Sequence, residues 1–205
     1  MKVYRHPSEY REGRMHPWGI SEHNPLHRYC DFKKNPELIR TSLEDLIPWS
    51  KWPAIEKFFE MIEWLNSEYS VFETNDCAFV GPKINIDNKF AKSHQCSGRL
   101  MILYRDLNFN ISKGHIDWLE GAVHHYFMQT DPEFEWGVVG TSLLNTRYVE
   151  LPLPEENQYG TELSIEFWAW GDGEGECMSN CLRLFKNMHD VLIGVSNEIF
   201  ESSNS

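Results

Sequence analysis

From Cys177 to Phe200 the chain repeats apolar side chains at helical spacing. Met178, Cys181, Leu182, Phe185, Met188, Leu192, Val195 and Ile199 fall on one stripe, with His189 among them. That spacing predicts a long helix, and a helix with one apolar stripe must bury it against a second layer. The second layer is written elsewhere in the chain. Leu100–Tyr104 is a continuous apolar run, the pattern of a strand buried on both faces. Strand-like patterns also occur at about 71–80, 136–144, 147–151 and 162–170. Two further helices are predicted. One spans 53–66, with Ile55, Phe58, Phe59, Ile62 and Leu65 inward, Pro53 in its first turn and Ser50 as cap. The other spans 113–129, capped by Ser112, with Ile116, Leu119, Val123, Tyr126 and Phe127 inward. A short helix at 36–46 and a polar loop at 83–97 complete the pattern. The order is helix, strand, strand, helix, three strands, helix. It predicts an α+β fold, a mostly antiparallel sheet with helices packed on one face. We expect a single α+β domain over 35–205, preceded by an irregular N-terminal arm over 1–34, where Pro, His and charge occur without periodicity.

Charge is the feature that bears on function. The 205 residues carry a net −12, and the excess is unevenly spread. Residues 1–40 hold eight Lys and Arg against five Asp and Glu, whereas residues 131–176 hold eleven Asp and Glu against Arg147 alone. A field of that sign repels phosphates and anionic lipid and draws cationic partners, so nucleic acid and membrane are excluded as expected partners. The arm could fold onto the acidic part of its own chain or of a neighbour, and the sequence does not choose; the oligomeric state is equally open. No run approaches the ~18 apolar residues of a bilayer span, and no signal peptide is readable. Five scattered cysteines do not form a disulfide scaffold, which points to the cytoplasm.

The segment Glu162–Trp170 alternates with period two. Leu163, Ile165, Phe167 and Ala169 take one face; Glu162, Ser164, Glu166, Trp168 and Trp170 take the other. If the aliphatic face meets the helices, two carboxylates and two indoles face water, the composition of an interface hot spot. The next residues, Gly171–Glu176, alternate Gly with Asp172, Glu174 and Glu176 just before the last helix. They read as favourable charge at a helix N-terminus rather than as a cation loop, since the twelve-residue calcium pattern is absent. The expectation is a non-catalytic, acidic protein-binding module, of the immunity or inhibitor type, that docks a basic protein through Glu162, Glu166, Trp168, Trp170, Asp172, Glu174 and Glu176. No cofactor and no metal is expected. Cys177 and Cys181 are spaced for one helix face but would need His94 and Cys96 as a distant second pair. His23 and His27, with Cys30 behind them, are interrupted by Pro25. The alternative is a hydrolase using Cys77, or Asp76, with His94, His115 or His124. A structural homo-oligomer subunit is the third reading.

Overall fold

The computed structural model describes residues 1–7, 9–18 and 29–203, with side chains in the second strand from Arg14 onward. Six strands form one sheet: β1 (Lys2–Arg5), β2 (Glu9–His16), β3 (Phe72–Ile84), β4 (His94–Tyr104), β5 (Gly137–Tyr148) and β6 (Tyr159–Gly171). Three long helices cover one face: α1 (Pro53–Asn66), α2 (Lys113–Gln129) and α3 (Gly173–Ser203). The strand order is β1-β5-β6-β4-β3, with β2 pairing β5 beyond the end of β1. The long strands pair antiparallel, while β1 and β2 both lie parallel to β5. The α+β class and the one-sided helix layer are those expected.

Aromatic packing joins the layers. Phe58 of α1, Phe79 of β3, Phe167 of β6 and Phe185 of α3 meet around Phe185, with ring centroids 4.6, 6.2 and 5.0 Å from it. Leu100, Ile102 and Tyr104 join this core, whereas Leu103 faces the other side in a small cluster with Tyr148 and Leu151. The strand is therefore buried on both faces, as its apolar run predicted.

Several boundaries differ from expectation, each for a local reason. Residues 1–34 are not irregular throughout, because Lys2–Arg5 and Glu9–His16 add to the β5 edge. Pairing supplied from a distant strand leaves no periodic signature in the segment itself. The strands expected at 136–144 and 147–151 are one strand, β5. The loop expected at 83–97 is a narrower hairpin tip, because β3 runs to Ile84 and β4 starts at His94. Trp52, not Ser50, caps α1, and Ser50 instead closes a short 3-10 turn over Ile47–Trp49. Ser112 does precede α2, but its hydroxyl meets His115 Nδ1 at 2.8 Å rather than a backbone N–H.

The sheet is coiled. In a flat sheet β2 and β3 would lie about 19 Å apart, four spacings of ~4.8 Å. Here His16 Nδ1 of β2 is 2.8 Å from Asn75 Oδ1 of β3. Residue-to-residue pairing slips at that point: Thr74 pairs Ile102 and Asp76 pairs Met101, leaving Asn75 as an extra residue. Such a bulge bends its strand and adds to the ordinary twist. The face without helices is the concave one.

Phe185→Ala should lower unfolding stability by about 3–5 kcal/mol, because it opens a void among three rings. Urea unfolding checks this, and a loss under about 1 kcal/mol would mean the layers are held by something else.

Candidate functional site

The concave face is built mainly by the outward residues of β3, β4, β5 and β6. On β6, Leu163, Ile165, Phe167 and Ala169 are fully buried against the helices, as the alternation requires. The other side is only partly open. Glu166 and Trp168 are half-exposed, and the Glu166 side chain retains 36% of its exposure beside His6 Nε2 at 3.2 Å. Tyr4 lies across Gly140 and packs on Trp168, with centroids 5.9 Å apart.

Glu162 and Trp170 correct the expectation of a uniformly exposed face. Trp170 is 3% exposed because Phe90 of the β3–β4 hairpin tip covers it, centroid to centroid 4.6 Å. Glu162 is 0% exposed. Its Oε2 accepts from Asn75 Nδ2 at 2.7 Å, and Arg14 Nε lies 3.9 Å from its Oε1. A second carboxylate, Glu73, is equally interior; His16 Nε2 stands 3.1 Å from it and Lys33 Nζ pairs with its other oxygen. Arg14 also meets Asp76 at 3.5 Å, and Arg99 meets it at 2.8 Å. The basic arm thus folds onto its own chain, where Arg14, His16 and Lys33 answer the carboxylates of the concave face. Burial drives the Glu162 carboxyl above the ordinary carboxylate range, against the pull of Asn75 and Arg14. Tyr148, buried beside both glutamates, keeps its phenol proton.

The acidic turn before α3 has a structural task. Glu176 Oε2 accepts from the Asp172 N–H at 2.7 Å, and Lys92 Nζ pairs with Asp172 at 2.8 Å and Glu176 at 2.9 Å. Ser93 Oγ accepts from the Gly173 N–H, so the hairpin tip closes the start of the helix. Lys92 holds both carboxyls below their ordinary range. Glu174 alone of the three projects freely.

The residues expected for hydrolysis are not assembled. Cys77 packs against the main core, and burial, followed by Asp76 and Asp45, pushes its thiol well up, the reverse of nucleophile activation. Cys77 pairs with Leu100, so His94 lies six residues further along β4, about 20 Å away. His115 stacks on Phe109, and His124 stands near Arg5 and Glu120 on the far side of the sheet order. His189, on the apolar stripe of α3, is buried near Trp64 with Nε2 unpartnered among the described residues, and burial lowers its pKa. Cys96 does reach Cys177, with sulfurs 3.3 Å apart beside Met178, all within the apolar core. Among the described residues no group of three or more His, Cys, Asp or Glu is arranged to hold a metal ion. His23 and His27 lie outside the described residues.

A cavity of about 200 Å³ opens where the concave face meets the β3 edge. Trp18, Asn75, Asp76, Cys77 and Arg99 line it, together with the 42–46 segment. Trp18 Nε1 donates to Asn75 O at 3.0 Å, which fixes the indole there. Sequence reasoning missed Arg14, His16, Trp18, Lys33, Glu73 and Asn75. The one signal pointing to them was the positive balance of the arm.

No family model, curated protein or solved structure matches this chain.

Glu162 gives the concave face a pH signature. The folded state keeps its proton to higher pH than the unfolded chain. Its contribution is therefore complete below the ordinary value of 4.5 and is lost as pH rises through the raised folded value. Glu162→Gln should remove that loss and flatten the stability profile above pH 4.5, as followed by urea unfolding across pH. Parallel profiles for the two proteins would contradict the assignment.

Proposed function

We propose that this chain is a non-catalytic protein-binding module that docks a basic protein, as an immunity or inhibitor protein covers the cationic site of a toxin. The observation that carries this reading is the concave face. Among the described residues no helix covers it, and one continuous row crosses it: Gly140, Glu166, Arg99 and Ala78 stand side by side on β5, β6, β4 and β3. The row passes through the half-exposed Glu166, with Trp168 two residues along on the same side of β6, and ends at the cavity lining, where Glu44 and Asp45 are exposed.

Charge supports the same reading in a reduced form. Of the eleven acids in 131–176, Asp131, Glu155, Glu162, Glu166, Asp172 and Glu176 are matched by cations or histidine of this chain. Glu133, Glu135, Glu150, Glu156 and Glu174 are exposed, and none forms an ion pair among the described residues. These supply a long-range field that speeds encounter, while indole and cavity hold the contact. Glu166, Trp168 and Glu174 stay in the proposed surface. Glu162, Trp170, Asp172 and Glu176 contribute through the structure behind it. Of the exposed large apolar side chains, Ile84 and Ile86 sit at the β3–β4 hairpin, Trp118 and Met128 on α2, and Tyr69 between α1 and β3; no single element gathers them, which gives a homo-oligomer face less support. No described helix is long and apolar enough to cross a membrane.

Affinity capture from native lysate at low salt, followed by a salt gradient, should retrieve a defined basic protein. Glu166→Lys with Glu174→Lys should slow its association by about tenfold and flatten the salt dependence. Asp172 is avoided because reversing it would unseat the α3 cap. An on-rate unchanged by the two reversals would refute docking through this face.

A further inference from the structure

The cavity at the β3 edge is a half-open space on the side where docking is proposed, and its size limits what enters. Roughly 150 Å³ holds one benzene, and small-molecule and cofactor sites usually run from about 300 Å³ upward. A space of about 200 Å³ suits one long side chain. Its walls are of two kinds. Trp18, Leu43 and Leu46 give an apolar surface for an alkyl stem. Glu44, Asp45 and Asp76 give carboxylates, with Arg99 as the only cation in the lining among the described residues.

Among the described residues those charges do not cancel. Asp76 is already paired, to Arg99 at 2.8 Å and Arg14 at 3.5 Å. Glu44 and Asp45 are exposed, and neither forms an ion pair among the described residues. Cys77 lies in the same lining; burial first, then Asp76 and Asp45, push its thiol up, while Arg99 pulls it down. Resting on the docking reading above, we propose that this cavity receives a single cationic side chain of the partner, an arginine, with its stem against Trp18 and its guanidinium at Glu44 and Asp45. Arginine suits the site better than lysine. Its planar group stacks on an indole, engages a carboxylate through two parallel hydrogen bonds and is more weakly hydrated.

The probe is N-acetyl-arginine methylamide, with the citrulline analogue as its uncharged isostere. Each is titrated into the full chain while the Trp18 indole N–H is followed by NMR, its signal assigned with a Trp18→Phe variant. The arginine probe should shift that signal saturably in the roughly millimolar range expected of so small a ligand, and citrulline should not. Glu44→Gln with Asp45→Asn should weaken the response at least tenfold, with circular dichroism verifying the fold. Equal responses to both probes, no response to either, or a response indifferent to the two substitutions overturns the proposal. If the captured basic protein still binds the Glu44→Gln, Asp45→Asn variant with unchanged affinity, the cavity assignment fails and docking through Glu166 stands. If neither that protein nor the probe binds the native chain, both fail.

Discussion

Glu73 and Glu162 stand on a sheet face that no helix covers among the described residues, yet neither is exposed. An ionised carboxylate out of water costs several kcal/mol unless a cation and hydrogen bonds meet it. Arg14, His16 and Lys33 come from one short stretch of chain and meet these two. The arm is therefore the counter-charge of the sheet. Its attachment explains why β2 reaches across to Asn75, why Trp18 lies on β3 and why the face is concave. Without those pairs the two carboxylates would have to return to water, and the coil of the sheet would lose its closure.

The same economy governs the acidic segment near the C-terminal helix. Asp172 and Glu176 both meet Lys92, Asp172 accepts from the Ser93 N–H and Glu176 from the Asp172 N–H just before the helix, so their charge is answered within the molecule. The chain separates its acids into an internal set that fixes geometry and an external set, including Glu44, Asp45, Glu133, Glu135, Glu150, Glu156 and Glu174, that remains for solvent or a partner. Only the second set can steer an encounter, and of Asp172, Glu174 and Glu176 only Glu174 belongs to it.

The layers were legible because they are periodic. The stripe of α3, the alternation of β6 and the run Leu100–Tyr104 each state which side is buried. What was not legible depends on contacts between distant residues. Alternation separates the two faces of β6, but it cannot say that Phe90 covers Trp170 or that Asn75 meets Glu162. Glu162 and Glu166 look equivalent in sequence, four residues apart on one side of one strand. The coil of the sheet encloses the first and leaves the second half-open. The positive balance of residues 1–40 was the correct hint to that enclosure, although a charge sum carries no register.

The parallel seam of β1 and β2 on β5 has a kinetic meaning. Lys2 pairs with Val138 and His16 with Tyr148, so the arm emerges from the ribosome long before its partner strand exists. Contacts of such sequence separation form slowly, since a large loop must close before they repay it. During synthesis the interior carboxylate Glu73 precedes β5, and its cations have no seam to hold them. The concave face is therefore assembled late, by the closing of its oldest segment over its newest.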